Sequence, residues 1–235
     1  MVITPHGEEE VPDRARKAFD TVLKARRLRA QWDYRYIWGN CLHDSVAELM
    51  PARGFNAPGG ILVNGAWVRD QAAALLRNSD GGQRLSPGAQ AALLRMRERP
   101  GPGQDLPTLA ELVNSAQERL EAGCDAPDRA GWADPSSIIA VCAALRIRVV
   151  AHSALGGIGV SSGFWAGTED WPQYDLAFSV IDQTGAGHYT PCRRRPGWRA
   201  YVPGENEVSG YVDLTLEAES SSEQSGSSEE CEFDW

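Results

Sequence analysis

Residues 39–50 read "GNCLHDSVAELM", where a Gly-Asn pair delivers a cysteine to a segment of helical spacing. After Cys41, apolar residues fall at i, i+4, i+7 and i+8, which places them on one face of a helix: Leu42, Val46, Leu49 and Met50. Backbone N–H groups in a first helical turn lack partners within the helix, and the positive end of the dipole lies there. Both favour a thiolate, so Cys41 is either a nucleophile or a buried structural thiol.

A nucleophilic cysteine needs a base within hydrogen-bond reach, which is usually a histidine. His43 lies only two residues along the predicted helix and points to another face. His152 ends the predicted strand "RIRVVAH", and His6 lies in the first residues of the chain. His188 follows the turn "TGAG" and begins the segment "HYT", where a side chain is held firmly yet stays open to substrate. We therefore expect His188 to be the base, the alternative being a turn histidine without a role.

The composition limits the classes of function. The chain has 235 residues, 42% of them hydrophobic and 23% charged, as in ordinary globular proteins. Its five cysteines form no CxxC pair, so we expect reduced thiols, no structural metal site and no cofactor. No signal segment and no apolar run of membrane-spanning length is visible, which predicts a cytoplasmic location, or the host cytosol for a viral or effector protein, and no membrane partner.

The charge and the sequence pattern divide the chain into three parts. Residues 1–30 read as a flexible leader followed by a basic amphipathic helix, with a charged face that is either solvated or a docking or RNA-contacting surface; its basic residues are Arg14, Arg16, Lys17, Lys24, Arg26, Arg27 and Arg29. Residues 31–205 form the folded domain. Residues 206–235 are acidic and Ser/Glu-rich, which predicts disorder and argues against a nucleic-acid partner.

Within the domain, periodicity predicts short helices at 70–78, 86–99 and 107–122. Strands are expected at 146–151 and 175–181. The glycine-rich residues 156–163 lack the Lys-Ser/Thr ending of a phosphate loop and are expected to form a flexible loop. The three arginines at 193–195 are expected in a solvated loop.

Three segments together resemble the ovarian-tumour (OTU) family of cysteine proteases. "GNCLHDSVAEL" is similar to its nucleophile motif, D-G-N-C-L-[FY]-x-[AS]-[VI]; residues 131–152, "GWADPSSIIAVCAALRIRVVAH", are similar to its central helix and strand; "GHYT" at 187–190 is similar to its H-Y-[ND] element. The resemblance implies an α/β (α+β), papain-like fold with a small central mixed sheet flanked by helices. It also implies a cysteine-type (iso)peptidase whose partner is ubiquitin or a ubiquitin-like protein.

The same resemblance implies roles for residues at the matching positions. Cys41 would be the nucleophile and His188 the base, with the pair either neutral or held as thiolate and imidazolium. Backbone amides of Trp38, Gly39 and Asn40 would stabilise the oxyanion.

The family's third catalytic residue has no charged counterpart at the matching position, because Thr190 stands two residues after His188. The enzyme would then use a Cys–His dyad, or take an acid from Asp33 or Asp182. The remaining implied positions line the substrate cleft: Asp44, Trp165 and Tyr189, with Trp171 and Glu48 as further candidates.

Three positions depart from the family pattern. Trp38 replaces the usual Asp, His43 the usual aromatic residue, and Thr190 the usual Asn or Asp. Trp38 and Thr190 favour the alternative, a catalytically inactive OTU-like scaffold that acts as a binding or structural protein. A third reading is an unrelated α/β domain with Cys41 in its core.

Overall fold

The computed structural model describes the greater part of the chain. The described residues are 2–4, 7–9, 17, 20–21, 23–24, 26–32, 39–50, 61–96, 105–123, 131, 133–155, 160–168, 170–180, 187–194 and 211–215. Lys17, Asp20, Thr21, Leu23 and Lys24 have helical conformation.

In the described ranges from residue 39 onward, five helices follow in chain order: α1 (Cys41–Leu49), α2 (Gly65–Arg77), α3 (Pro87–Arg95), α4 (Leu109–Ala122) and α5 (Pro135–Leu145). The last four begin at residues whose side chains accept a backbone N–H of the first turn, which are Asn64, Ser86, Thr108 and Asp134. The helices predicted at 70–78, 86–99 and 107–122 are confirmed, although α2 begins five residues earlier than its periodicity indicated and α3 ends at Arg95. Among the described residues, no helix has the length and apolarity needed to cross a bilayer.

The described part of the chain also contains eight strands: β1 (Val2–Thr4), β2 (Gly7–Glu9), β3 (Leu28–Ala30), β4 (Arg148–Leu155), β5 (Val160–Gly167), β6 (Gln173–Val180), β7 (Gly187–Arg194) and β8 (Tyr211–Thr215). β1 and β2 pair within the predicted leader, and the other six form one sheet in the order β3-β7-β6-β4-β5-β8. Pairing is parallel for β4/β6 and β5/β8, and antiparallel elsewhere. The predicted mixed α/β fold is confirmed.

The sheet separates two groups of buried residues. The larger group joins the five helices to one face of the sheet, which contributes Val149, Tyr174, Leu176 and Tyr189. The smaller group lies on the other face, where Ala177 and Cys192 pack with residues that precede and form β3: Leu23, Leu28 and Ala30. Successive residues of a strand point to opposite faces, so His188 and Thr190 lie on the face of the smaller group, and Tyr189 on that of the larger.

Three sequence-based expectations need correction. The basic amphipathic helix predicted to reach residue 30 ends earlier, because Leu28–Ala30 form β3 and pair with β7. Val160–Gly163 belong to β5 and pair with β4, so the predicted loop at 156–163 is wrong for these four residues. β8 lies within the region expected to be disordered and pairs in parallel with β5. The boundary at residue 205 therefore omits a strand of the sheet, whereas residues 206–210 and 216–235 lie outside the described part of the chain. The sequence did not predict β5 because its first residues are rich in serine and glycine. The strand is stabilised by pairing with β4 on one side and β8 on the other.

Candidate active site

The first turn of α1 begins at a sharp change of backbone direction. Gly39 has φ of 78°, in the left-handed region where glycine is favoured, and Asn40 is the N-cap. Cys41 is therefore the first residue of the helix. The N–H groups of this turn have no partner within the helix, so they and the positive dipole end surround the sulfur.

The side chains of α1 bind the backbone of β7 directly beside His188. The N–H of Tyr189 donates to Sγ of Cys41 at 3.5 Å, and Oγ of Ser45 donates to the carbonyl of Tyr189 at 3.1 Å. On this side of β7, the last described bond to the β3 segment runs from the N–H of Gln31 to the carbonyl of Pro191. Cys41 and Ser45, one helical turn apart, thus bind the N–H and the carbonyl of Tyr189 on the same edge of β7. The N–H that contacts the sulfur belongs to the peptide bond between His188 and Tyr189.

An ion pair at the surface adds a second connection between α1 and β7. Arg193 donates to Glu48 at 2.8 Å, and both side chains are partly exposed. An exposed pair contributes at most about 1 kcal/mol. Glu48, which was expected as a carboxylate of the substrate cleft, forms this ion pair with Arg193. Arg193 itself lies in β7 and not in the predicted solvated loop.

Burial decides the protonation of the two reactive side chains. Burial raises the pKa of the Cys41 thiol to about 11, although the N–H groups of Tyr189 and Leu42 favour the thiolate. Burial also lowers the pKa of His188 to about 4. At neutral pH the resting state is therefore a thiol and a neutral imidazole, and the thiolate–imidazolium alternative is not the ground state.

The turn before Cys41 is tied down by polar side chains. Nδ2 of Asn40 donates to Oδ1 of Asp44 at 2.9 Å, and Oδ1 of Asn40 accepts from Nε of Arg69 at 3.0 Å. Arg69 was not singled out from the sequence. The available signal was its helical spacing, because Ala73 and Leu76 at i+4 and i+7 are buried on the same side of α2.

His43 lies in the core beside this turn. Its side chain is fully buried, and neither ring nitrogen has a hydrogen-bond partner among the residues that the structure describes. Burial, and then the charge of Arg69, hold the pKa of His43 well below its usual range. His43 is therefore neutral at neutral pH.

Two expected cleft residues lie elsewhere. The ring of Tyr189 is buried on the helix-facing side of the sheet, with its centroid 4.8 Å from that of Phe178, because strand alternation turns it away from His188. The backbone of Trp165 lies in β5, three strands from β7, which is about 14 Å at ordinary strand spacing. Neither position fits a channel between α1 and β7. Trp171 packs against the larger core.

The remaining expected residues divide into described and undescribed ones. Thr190 is buried, with its backbone opposite Ala177 of β6. Gly39, Asn40 and Asp44 lie together at the start of α1. Asp33, Trp38 and Asp182 lie outside the described residues.

A second histidine is part of a buried charged network that the sequence did not reveal. Arg26 donates to Nδ1 of His152 at 3.0 Å, so Nε2 carries the proton and donates to Asp175 at 3.3 Å. Arg194 and Gln173 also donate to the carboxylate of Asp175. Burial lowers the pKa of His152. Burial alone would raise the pKa of Asp175, but its hydrogen bonds and cationic neighbours lower it.

Comparisons with known proteins find similarity to solved structures. No family model matches the chain, and no curated protein sequence matches it. A solved structure described as the OTU domain of OTUD1 is similar with a TM-score of 0.44 and 13% identity, covering 77% of this chain and 95% of that one.

Proposed function

We propose that this chain is a cysteine-type isopeptidase that hydrolyses conjugates of ubiquitin or a ubiquitin-like protein. The supporting observation is the contact of Cys41 Sγ with the N–H of Tyr189, which brings the head of α1 to the residue following His188. Two of the three sequence segments that resemble the OTU family, at 39–49 and 187–190, contain the residues of this contact, and the third contains Gly131, which shares Arg69 with the turn before Cys41. They supply the proposed substrate class, which the geometry alone does not specify.

The reaction begins from the neutral pair. His188 takes the proton of Cys41 while the sulfur attacks the carbonyl carbon of the scissile amide. The N–H groups of Cys41 and of the turn at 39–40 stabilise the resulting oxyanion. His188 then returns the proton to the leaving amine as the thioester forms. Water, deprotonated by His188, attacks the thioester and regenerates the thiol.

The third member of the site is proposed to be dispensable. Thr190 follows His188 by two residues and shares its face of the sheet, but its hydroxyl carries no charge to stabilise an imidazolium. The proposal is therefore a Cys–His dyad. If the site includes a third, acidic residue, the candidates are Asp33 and Asp182.

The inactive scaffold is the second candidate, and burial favours it. Cys41 is 8% exposed and His188 is 4% exposed, so a substrate carbonyl reaches the sulfur only if neighbouring groups move. The raised pKa of the thiol points the same way. A scaffold would bind ubiquitin through the surface around α1 without cleaving it.

Hydrolysis of ubiquitin bearing a C-terminal fluorogenic amide separates the two candidates. The enzyme proposal predicts turnover by the wild type and loss of turnover in Cys41→Ala. Cys142→Ala is the matched control, because Cys142 is an equally buried thiol that donates to the carbonyl of Ala166, remote from β7. Binding of ubiquitin without turnover in the wild type would favour the scaffold.

A further inference from the structure

One guanidinium, contributed by α2, holds both residues of the turn that precedes Cys41. Arg69 is 6% exposed, and its Nε donates to Oδ1 of Asn40 at 3.0 Å. Its Nη2 donates to the carbonyl of Gly39, also at 3.0 Å. Such a fork fixes two acceptors at once, which a lysine ammonium does not do with the same geometry.

The other arm of the same fork anchors this turn to two distant segments. Nη1 of Arg69 donates to the carbonyl of Gly131 at 2.9 Å and lies 3.4 Å from the carbonyl of Leu120, in the last turn of α4. Carbonyls at a helix C-terminus carry partial negative charge, so they favour a cation. A glycine is required at position 131, because a Cβ there would lie 1.6 Å from the carbonyl oxygen of Gly123.

The bond to Gly39 has a consequence for the oxyanion site. A trans peptide group is planar, with its C=O and N–H pointing in opposite directions. Fixing the carbonyl of Gly39 therefore fixes the direction of the N–H of Asn40. The bond to the Asn40 side chain keeps that amide group from turning toward the free N–H groups of the first turn.

We infer that Arg69 is a positioning residue for the oxyanion hole, which aims the Asn40 N–H by holding the Gly39 carbonyl. The inference rests on the proposed function, since it assigns the turn a role in catalysis. Arg69 touches neither substrate nor sulfur in this role. It acts through the backbone of residues 39–40.

A second position on the same face of α2 supplies an independent variant. Gly65 is one turn before Arg69, and a Cβ there would lie 1.9 Å from Oδ1 of Asp44 and 2.3 Å from Nδ2 of Asn40. Gly65→Ala therefore displaces the Asn40–Asp44 pair while leaving the guanidinium in place. It carries the test if Arg69→Lys fails to fold.

The experiment compares Arg69→Lys and Gly65→Ala with Arg77→Lys. Arg77 is the matched control, because it also joins α2 to α4, through an exposed ion pair with Glu121 at 2.6 Å, but does not reach the turn. With fluorogenic ubiquitin we expect kcat to fall by about 100-fold in the two test variants, as when a catalytic group is misplaced or an oxyanion donor is lost, with KM unchanged. Amide hydrogen exchange should accelerate at residues 39–43. Arg77→Lys should match the wild type in all three quantities.

Two results would overturn the inference while leaving the proposed function intact. One is an active wild type with Arg69→Lys and Gly65→Ala equal to it in kcat and in exchange at residues 39–43. The other is a raised KM at unchanged kcat, which would assign the turn to substrate binding. A wild type that hydrolyses no ubiquitin conjugate would refute the proposed function, and the catalytic role of Arg69 with it.

Discussion

Two buried histidines of one sheet have contrasting surroundings. His152 lies in the interior strand β4 and has both ring nitrogens engaged, by Arg26 and Asp175. His188 lies near the start of β7, beside the peptide N–H that contacts the sulfur of Cys41. Because its ring is hydrogen-bonded to the carboxylate of Asp175, His152 resembles the histidine of a catalytic triad more closely than His188 does.

The difference teaches that a His–Asp pair is not by itself a reactive site. On the sheet face opposite the larger core, Arg26 donates to His152 and Arg194 donates to Asp175. Such a hydrogen-bonded arrangement stabilises a fold. The neighbourhood of His188 instead offers the sulfur of Cys41 and the first turn of a helix. The proposed function therefore gives the first histidine a role in stability and the second a role in chemistry.

Exchanging the two histidines for alanine gives the largest expected effect. His188→Ala should lower kcat by about 10⁴-fold or more, as loss of a nucleophile's base does, with little change in melting temperature. His152→Ala should lower the melting temperature and leave the kcat of the folded fraction near that of the wild type. Steady-state kinetics and thermal unfolding of both variants test this, and a reversed pattern would break the assignment.

The carboxylate of the network should dominate stability. Asp175→Asn leaves Arg194 and Arg26 without the anion that compensates their burial, so the free energy of unfolding should fall by about 3–5 kcal/mol. Glu48→Gln, which breaks the exposed pair with Arg193, is the control and should cost less than about 1 kcal/mol. Urea unfolding measures both, and equal losses would contradict the account.

The neutral state of the buried histidines makes stability depend on pH. The pKa of His43 is lowered in the folded chain, so the unfolded chain binds more protons below its ordinary value near 6.5. Stability should be complete above that pH and decline as the pH falls toward the folded value. His43→Phe should reduce the drop in melting temperature between pH 7 and pH 5. An unchanged drop would show that His43 does not contribute.

Thr190 should have the smallest effect on catalysis. Because its hydroxyl adds no charge beside the imidazole, Thr190→Ala should lower kcat by less than about tenfold, a smaller loss than a catalytic acid or base causes. The matched variant Thr190→Val keeps the shape and should behave alike. A loss as large as that of His188→Ala would make Thr190 a true third member of the site.

Local pattern predicted those parts of the fold and site that depend on neighbouring residues. The helix that begins at Cys41 and the strand that contains His188 follow from spacing and from turn residues. Contacts across long sequence separations were not predictable. Arg26 and Arg194 read as solvated charges, yet both turn inward, because Arg26 donates to His152 and Arg194 donates to Asp175 in the folded chain.

The role of Arg69 was hidden for the same physical reason. A helix face fixes which side of α2 the arginine occupies, but its partners at Gly39 and Gly131 come from two other segments. β8 was not predicted for a similar reason, because it forms by parallel pairing with β5. Parallel strands are not joined by a hairpin turn that could be recognised in the sequence.

Covalent trapping tests the central claim most directly. The chain is incubated with ubiquitin carrying an electrophile at its C-terminus, and the modified residue is located by peptide mass spectrometry. The account predicts one adduct per chain, on Cys41, formed more slowly in His188→Ala and absent in Cys41→Ala. No adduct in the wild type, or an adduct on Cys142 or Cys192 that persists in Cys41→Ala, would contradict it.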